Sequence, residues 1–321
     1  MISPAGCTFG ARVCLEYDAR EMAVSMVHNL PPTPAFQDER PDSPISEMAL
    51  RVVVERPEWK FDVVGTATLV CGHLAITARH VLEHALRTYG VKQKTSGYAE
   101  IDNYELKLYQ VLPGPNYRIW RVHAAWPTAT DIAFLHLGLD GTTVANEKVS
   151  WKQPLLRALP PPVGQKVVAF GYRESKINVR EGEDGQHHIE LNDRPTTSIG
   201  TVRQVYPSGR DAVMLPFPCF EIEARFDPGM SGGMVIDEAG RLCGLICASL
   251  QHNDPNAPPI SYVASLWPML RTVISVDRGD RFPRGISYPA IDLAIDGLIR
   301  VADLHELDPA QFPDKQLTLP R

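Results

Sequence analysis

Residues 226–233 read Phe-Asp-Pro-Gly-Met-Ser-Gly-Gly and are the stretch on which the fold and chemistry of this 321-residue chain depend. Ser231 stands between glycines, ahead of an apolar run at residues 234–236 that predicts a strand. Glycine allows the unusual backbone angles with which a tight turn exposes a hydroxyl beside backbone N–H groups. Such N–H groups can stabilise the oxyanion that develops in acyl transfer. Taken alone, the stretch also fits an ordinary Gly-Ser turn between strands, so its meaning depends on the rest of the chain.

The composition is that of an ordinary globular protein, and it argues against several function classes. Apolar residues make up 44% of the chain, charged residues make up 22%, and the formal net charge is −6. Since no basic stripe with interleaved aromatic residues stands out, we expect no nucleic-acid partner. No apolar run approaches the about 20 residues that cross a bilayer, so we expect no membrane partner. Residues 1–21 lack the basic start and apolar centre of a secretory signal, which predicts a cytoplasmic protein.

The cysteines do not follow a pattern typical of a metal site or a disulfide framework. None of the six stands in a CxxC pair or in a Cys/His cluster at zinc spacing. Three of them lie in apolar strand-like runs, where buried free thiols are expected. In a reducing compartment we therefore expect no structural disulfide. The six are Cys7, Cys14, Cys71, Cys219, Cys243 and Cys247.

From residue 49 onward the sequence consists of short strand-like runs separated by Gly and Pro turns. One series covers residues 49–137 and a second covers residues 166–264, with a proline-containing connector at 151–164. Long helices do not alternate with these runs, so the pattern favours an all-β, mainly antiparallel protein with a barrel or sandwich architecture. Because the two series are similar in size, they suggest two similar barrels.

The two ends of the chain differ from this central β region. Residues 1–46 have some helical character and then contain five prolines between residues 31 and 44, which is typical of a linker. A longer helix is predicted over residues 264–276. A last helix is predicted over residues 290–304, where apolar residues recur on one face.

Two residues upstream of the serine turn have the chemistry that acyl transfer needs. His80 follows the predicted buried strand 74–77 at the start of a helical turn, where its ring would be held rigidly. A neutral imidazole can take a proton from a hydroxyl near pH 7 and return it to a leaving amine. Asp131 precedes the apolar run 132–135, where a buried carboxylate requires a partner. Each is compatible with an ordinary surface, core or turn residue, but the functional interpretation is that Asp131 orients His80 and stabilises its imidazolium.

Ser231 is the candidate nucleophile, and the backbone N–H groups of Gly229 and Ser231 are the candidate oxyanion donors. Thr201, Ser208 and Ser249 are weaker candidates, because none of them stands in a Gly-flanked turn. The order histidine, aspartate, serine along the chain is that of chymotrypsin-type enzymes. In α/β-hydrolases the serine comes first and the histidine last.

Three blocks of sequence together resemble the trypsin/chymotrypsin-like serine proteases, and among them the bacterial Deg/HtrA branch. Residues 76–81 read Ile-Thr-Ala-Arg-His-Val and are similar to the family's histidine block. Residues 130–133 read Thr-Asp-Ile-Ala and are similar to its aspartate block, and residues 228–233 are similar to its serine block. The resemblance covers about residues 49–276 and follows the Deg/HtrA pattern without a gap over residues 222–247.

The resemblance implies a chymotrypsin-like double β-barrel, in which two six-stranded antiparallel barrels place the three residues in the cleft between them. We expect the protease domain over residues 47–276, with the barrels at about 47–150 and 163–265. Residues 1–46 are an uncertain N-terminal segment or linker. Residues 277–321 are expected to form a C-terminal helical extension, too short for a PDZ domain.

The same resemblance implies a serine endopeptidase that acts on a protein or peptide substrate without a metal or organic cofactor. His80, Asp131 and Ser231 would form its catalytic triad, and the reaction would pass through an acyl-enzyme. The alternative is a protease-like fold used as a non-catalytic binding or sensing module. A third interpretation keeps the enzyme but makes it a regulated bacterial stress or defence protease with a regulatory partner protein.

Four further residues are assigned to substrate binding through the resemblance. Cys247, Ala248 and Ser249 would pair with the substrate backbone as an added strand and line one wall of the specificity pocket. Arg225 lies six residues before Ser231, where trypsin-like enzymes often place the residue at the base of that pocket. A guanidinium there would favour an acidic side chain before the scissile bond. The alternative is that Arg225 points to solvent.

Met230 departs from the family pattern at a position that matters for activation. In trypsin-type zymogens, a newly freed N-terminal ammonium pairs with an aspartate before the serine and orders the oxyanion loop. Met230 stands at this position and cannot accept a salt bridge, so a buried ammonium would cost on the order of several kcal/mol. We therefore expect that N-terminal cleavage is not the switch. The turn is then preformed, or ordered by substrate, a partner or residues 277–321.

Overall fold

The structure, a computed structural model, describes most of the chain between residues 36 and 307. The predictions for residues 1–35 and 308–321 lie outside the described residues, and with them Cys7 and Cys14. Within the described part, no helix is long and apolar enough to span a membrane. The described residues are 36–39, 43, 45–89, 92–93, 99–100, 105–113, 116–144, 152–181, 187–250, 258–275 and 287–307.

Strands dominate the described residues, as the sequence predicts. Up to residue 142 they are β1 (Phe36–Asp38), β2 (Ala49–Arg56), β3 (Lys60–Cys71), β4 (Leu74–Thr77), β5 (Lys92–Gln93), β6 (Ala99–Glu100), β7 (Glu105–Leu112), β8 (Asn116–Pro127) and β9 (Ala133–Thr142). After it they are β10 (Leu155–Leu156), β11 (Lys166–Glu181), β12 (His187–Tyr206), β13 (Cys219–Ile222), β14 (Met234–Asp237), β15 (Leu242–Leu250), β16 (Ile260–Ser265), β17 (Val273–Ile274), β18 (Tyr288–Pro289) and β19 (Arg300–Val301). The α-helices are α1 (Arg79–Thr88) and α2 (Ile291–Ile295), and the 3-10 helices are Ser46–Met48, Trp267–Arg271 and Leu304–Glu306.

The first half of the chain forms a closed barrel, which confirms the first of the two expected barrels. Its strands follow the order β2-β3-β4-β9-β8-β7, and neighbouring strands are antiparallel. Side chains alternate between the two faces of a strand, so the two faces of β2 contribute to two different apolar cores. Leu50, Val52 and Val54 lie in the barrel core, whereas Ala49 belongs to the apolar core shared with the second half.

The second half contains the six antiparallel strands that the resemblance implies, which confirms the mainly antiparallel, chymotrypsin-like fold, but these strands form part of a nine-stranded sheet rather than a separate closed barrel. The main path runs β14-β11-β12-β13-β16-β15-β10-β19, and β14 also pairs with β15. Three added strands account for the difference. β1 pairs with β12, β10 pairs in parallel with β15, and β19 pairs in parallel with β10. Strands of two or three residues are too short to show the alternation by which a strand is recognised in sequence.

Helix α1, which follows β4, is longer than the single turn predicted from the sequence. The two helices predicted near the end of the chain are shorter or replaced by other elements. Instead of one helix, residues 264–276 contain the end of β16, a 3-10 helix and β17. β17 is extended because it pairs with β18. A C-terminal helix is present as expected, but α2 covers five residues rather than residues 290–304. Gly297, with φ at +70°, follows α2 in the left-handed conformation that commonly terminates a helix.

Arg51 of β2 joins the two halves. Its Nε and Nη2 donate to the carboxylate of Asp193 in β12, with Nη2 at 3.1 Å from Oδ1. Its guanidinium lies over the ring of Tyr172 in β11, 3.7 Å from the centroid. Tyr172 in turn donates its hydroxyl to the carbonyl of Ala49 at 3.3 Å. Because the side chains of Arg51 and Asp193 are only 1% and 2% exposed, this is a buried ion pair between the halves.

The four described cysteines are free thiols, of which Cys71 is half-buried. Cys219, Cys243 and Cys247 are buried. Burial raises the pKa of the Cys219 thiol to about 11 and raises the pKa of the Cys243 thiol further.

Candidate active site

His80 and Asp131 form a hydrogen-bonded pair between the start of α1 and the loop before β9. The Nδ1 atom of His80 lies 2.8 Å from Oδ2 of Asp131, and the backbone N–H of His80 donates to Oδ1 at 2.9 Å. In the pairing of a neutral imidazole with a carboxylate, Nδ1 carries the hydrogen and Nε2 is left as an acceptor. The side chain of Asp131 is 13% exposed and that of His80 is 42% exposed, so the ring has one protected and one accessible edge.

The loop that carries Asp131 is fixed by its own hydrogen bonds. The backbone N–H of Thr128 donates to the carbonyl of Ile132 at 2.9 Å, and that of Thr130 donates to the Thr128 hydroxyl at 3.1 Å. Arg79, the residue before His80, donates from Nη1 to the carbonyl of Thr128 at 3.0 Å. The loop and the first turn of α1 therefore hold each other, which fixes Asp131 relative to His80.

Ser231 lies on a hydrogen-bonded turn between β13 and β14. The N–H of Met230 donates to the carbonyl of Asp227 at 3.1 Å, and the N–H of Gly233 donates to the carbonyl of Met230 at 2.8 Å. Gly229 has φ at +94°, and a Cβ there would lie 2.6 Å from the carbonyl oxygen of Tyr172. Only glycine satisfies both constraints, which explains why position 229, two residues before the serine, is a glycine.

The serine turn is docked on β3 of the first barrel. The N–H of Thr66 donates to the carbonyl of Ser231 at 2.9 Å, and its hydroxyl donates to the carbonyl of Gly229 at 2.8 Å. A Cβ at Gly65 would lie 2.8 Å from the side chain of Val81 and 3.1 Å from the carbonyl oxygen of Ser231. Val81 directly follows His80, so the close approach at Gly65 brings the serine turn next to the helix that carries the histidine.

Backbone hydrogen bonds divide the N–H groups of the serine turn into two sets. Those of Met230, Gly232 and Gly233 donate to carbonyls within the second half. Those of Gly229 and Ser231, in contrast, donate to no acceptor within the described part of the chain. Met230 is fully buried, and its sulfur accepts the N–H of Asp227 at 3.5 Å. The position at which zymogens carry an aspartate is thus filled by an apolar side chain.

Cys247, Ala248 and Ser249 lie on β15, after the last residue of this strand that pairs with β14, Leu245. Cys247 is buried and donates its Sγ–H to the carbonyl of Tyr262 at 3.2 Å. Burial raises the pKa of this thiol well above its usual value, and the nearby negative charge of Asp131 adds to the effect. Ala248 and Ser249 are half-buried.

Arg225 is half-buried and paired, so neither alternative for its position describes it fully. Its Nε donates to Oδ1 of Asp227 at 2.8 Å, and its guanidinium lies 5.4 Å from the ring centroid of Phe36. Asp227 also accepts a hydrogen bond from Nη2 of Arg173 at 2.6 Å.

Arg173, Asp227 and Phe36 lie at the candidate site but were not predicted from the sequence. Asp227 lies within residues 226–233, so its position close to the serine could have indicated it. The other two lie on β11 and β1, far from it along the chain. No group of three or more His, Cys, Asp or Glu side chains that could hold a metal ion occurs among the described residues.

A known protein family matches the central part of this sequence. The sequence model of the trypsin-like peptidase domain matches residues 65–245, which is more than half of the chain and includes His80, Asp131 and Ser231. The chain belongs to the trypsin-like peptidase family. The prediction of a trypsin-like peptidase domain, made from three short blocks, is confirmed.

Several solved structures of proteases are similar to this trypsin-like peptidase. The Rv3671c protease of M. tuberculosis in its active form is 14% identical, covering 76% of this chain and 90% of that chain, with a TM-score of 0.43. The HtrA-type protease AlgW with a tripeptide is 17% identical, covering 68% of this chain and 56% of that chain, with a TM-score of 0.42. Deg5 is 16% identical, covering 68% of this chain and 84% of that chain, with a TM-score of 0.42. A comparison with curated proteins found no match.

Proposed function

We propose that this trypsin-like peptidase is a serine endopeptidase that hydrolyses peptide bonds through His80, Asp131 and Ser231. The observation that carries the proposal is the hydrogen-bonded His80–Asp131 pair, which lies beside the docked turn of Ser231. A histidine whose Nδ1 is held by a carboxylate presents Nε2 as a base, and a serine in reach of that base becomes a nucleophile.

The acylation step follows from these roles. Nε2 of His80 takes the hydroxyl proton of Ser231 while Oγ bonds to the substrate carbonyl carbon, whose oxygen becomes an oxyanion. The N–H groups of Gly229 and Ser231 are the donors that we assign to this oxyanion, since the fold does not use them elsewhere within the described residues. His80 then gives the proton to the leaving amine, the carbon–nitrogen bond breaks, and an acyl-enzyme on Ser231 remains.

Deacylation repeats the same proton transfers with water in place of the serine. His80 takes a proton from the water, whose oxygen attacks the ester carbon, and returns the proton to Oγ of Ser231. Asp131 keeps its negative charge throughout and stabilises the imidazolium that forms in each step. Its low exposure supports this role, because a desolvated carboxylate interacts more strongly with a neighbouring cation.

The substrate would lie along the edge of β15. β14 pairs with β15 only as far as Leu245, and the next residue, Ile246, bonds to the serine turn through Gly232 and Gly233. An extended peptide added beyond that point would meet Cys247, Ala248 and Ser249 and bring its carbonyl toward Ser231. The addition of a peptide to an exposed sheet edge is a common mode of peptide recognition.

The location, cellular role and partner of the protein are predicted from the sequence alone. A cytoplasmic location, a regulated role in bacterial stress or defence and a regulatory partner protein remain predictions. Cell fractionation, the genomic neighbourhood and affinity capture of the Ser231→Ala protein are the measurements that address them.

A fluorophosphonate probe tests the proposed nucleophile. We expect the probe to label the wild-type chain and to label Ser231→Ala not at all, because the reagent bonds only to an activated serine. Asp131→Asn should retain the fold and lose about 10⁴-fold in kcat, as expected when the histidine is held in the wrong tautomer. Ser208→Ala is the matched control, since Ser208 is exposed and outside the site.

Two results would contradict the assignment. Labelling that survives Ser231→Ala would mean that the nucleophile is another residue. A folded wild-type protein without labelling or peptide cleavage would instead favour the non-catalytic binding or sensing module.

A further inference from the structure

Part of the N-terminal segment is a fixed strand of the second half. In β1, Phe36 lies opposite Ser198 and Asp38 lies opposite Thr196 of β12. The N–H of Glu39 donates to the carbonyl of Pro195 at 2.8 Å, one residue beyond the strand. These contacts hold the backbone of residues 36–39 against β12.

The side chain of Phe36 covers an arginine–aspartate cluster, formed by Arg173, Arg225 and Asp227. Its ring lies 3.9 Å from the guanidinium carbon of Arg173 and 5.4 Å from that of Arg225. Both arginines donate to Asp227, at 2.6 and 2.8 Å respectively. The side chain of Arg173 is only 7% exposed and that of Asp227 only 15%. The aromatic ring therefore keeps water away from this ion pair, which water would otherwise weaken.

Asp227 connects this cluster to the serine turn. Its carbonyl accepts the N–H of Met230, and its own N–H donates to the sulfur of Met230. Gly229, with φ at +94°, and Ser231 follow within the same turn. Each carboxylate oxygen of Asp227 accepts a hydrogen bond from one of the two arginines, so the cluster restrains the residue from which the turn starts.

We infer that Phe36 is a positioning residue for the oxyanion turn, acting through Arg173, Arg225 and Asp227. The inference rests on the proposed function, because it assigns the ordering of the oxyanion donors to a segment outside the barrels. An internal strand takes the place of a free N-terminal ammonium, and the aspartate it acts on lies three residues before Met230. With the ring of Phe36 removed, the cluster hydrates and the turn samples orientations that do not meet the oxyanion.

The test uses the full chain with single substitutions at Phe36. We expect Phe36→Ala to lower kcat about 10- to 100-fold, as for a small misplacement of catalytic groups, with KM within about twofold. The rate of fluorophosphonate labelling should fall by the same factor. Phe36→Trp keeps an aromatic face over the arginines and should restore kcat to within about threefold. Gln37→Ala is the matched control, because Gln37 is exposed on the same strand and should leave kcat unchanged.

Hydrogen–deuterium exchange of residues 227–233 gives a second measurement that does not depend on catalysis. Phe36→Ala should speed the exchange of these amides about tenfold or more, and Gln37→Ala should not. Unchanged exchange overturns the inference whatever the activity. Faster exchange in a protein whose wild type neither labels nor cleaves keeps the inference and overturns the proposed function.

A double variant separates positioning from general stabilisation. If Phe36 acts through Asp227, Phe36→Ala and Asp227→Asn together should lower kcat by much less than the product of the two single effects. Fully multiplicative effects would overturn the inference. A loss of activity that only follows the unfolded fraction, or a rise in KM alone, would overturn it as well.

Discussion

Arg225 is the residue from which we predict the substrate preference of the candidate site. Its Nε is bonded to Asp227, yet 34% of its side chain remains exposed. An exposed guanidinium gains a charge-assisted hydrogen bond to a substrate carboxylate. We therefore expect cleavage after acidic residues, and we expect Arg225→Gln to lower kcat/KM for such peptides, relative to neutral ones, about 10- to 100-fold, the equivalent of one such bond. An effect through the cluster with Asp227 would lower both kinds of peptide alike. A peptide-library cleavage profile measures the preference.

Arg203→Gln provides the control for this change. Arg203 is an exposed arginine that pairs with Glu223 on the surface of the second half, so its loss should leave the profile as it is. A wild-type profile dominated by basic or bulky apolar residues before the scissile bond would show that Arg225 does not line the pocket.

At the scale of elements, the turn between β14 and β15 depends on one carboxylate. Oδ1 of Asp237 accepts the N–H groups of Ala239 and Arg241, each at 3.0 Å. Oδ2 accepts hydrogen bonds from Arg241 Nε at 2.9 Å and from Arg157 Nη1 at 3.3 Å. Burial alone would raise the pKa of Asp237, but the hydrogen bonds and charge of Arg241, with the hydrogen bond from Arg157, outweigh it and lower the pKa.

We expect Asp237→Asn to lower the free energy of unfolding at pH 7 by about 1–3 kcal/mol, because the bonds to the arginines lose their charge. Since the folded-state pKa is lowered, this contribution is present above the unfolded-state pKa of about 3.9 and is lost as the pH falls through the folded-state value. Urea unfolding over a pH series measures the difference between the two proteins. Glu238→Gln, in the same turn but exposed, should change stability by less than about 0.5 kcal/mol. A difference that stays constant into strong acid would contradict this account.

The elements also show which parts of the structure could be predicted from the sequence. The serine turn, His80 and Asp131 could be proposed from the sequence, because each proposed role requires a particular residue type in a short local pattern. β10 and β19 were not predicted, because strands of two residues exist only through their partners in the sheet. Residues 264–276 have the apolar pattern of a helix, yet pairing with β18 makes part of them extended.

The contact between Phe36 and Arg173 marks the same limit for the candidate site. It joins residues more than a hundred positions apart, and neither residue has a local pattern that indicates the other. The sequence could indicate candidates for the reacting groups, because their chemistry restricts the residue type. It could not identify the groups that position them, because these are brought together only by the sheet.

At the scale of the whole molecule, the proposed chemistry requires that the two halves stay in one arrangement. His80 and Asp131 belong to the first barrel, and Ser231 belongs to the second half. The hydrogen bonds from Thr66 to the serine turn and the buried pair of Arg51 with Asp193 both cross between the halves. Neither Arg51 nor Asp193 is assigned to catalysis, so the pair can be changed without removing any of the reacting groups.

Arg51→Met should therefore show how much the Arg51–Asp193 pair contributes to stability. The substitution leaves the carboxylate of Asp193, only 2% exposed, without its cation, and loss of one member of a buried pair costs about 3–5 kcal/mol. The double variant Arg51→Met, Asp193→Leu removes both charges and should recover most of that loss, since apolar side chains can replace a buried ion pair. Urea unfolding of the full chain measures both, and peptide cleavage below the unfolding transition should follow the same order. If the double variant lost as much free energy of unfolding as the two single variants together, the two charges would not interact between the halves. The halves would then be held together by the shared apolar core and the serine turn alone.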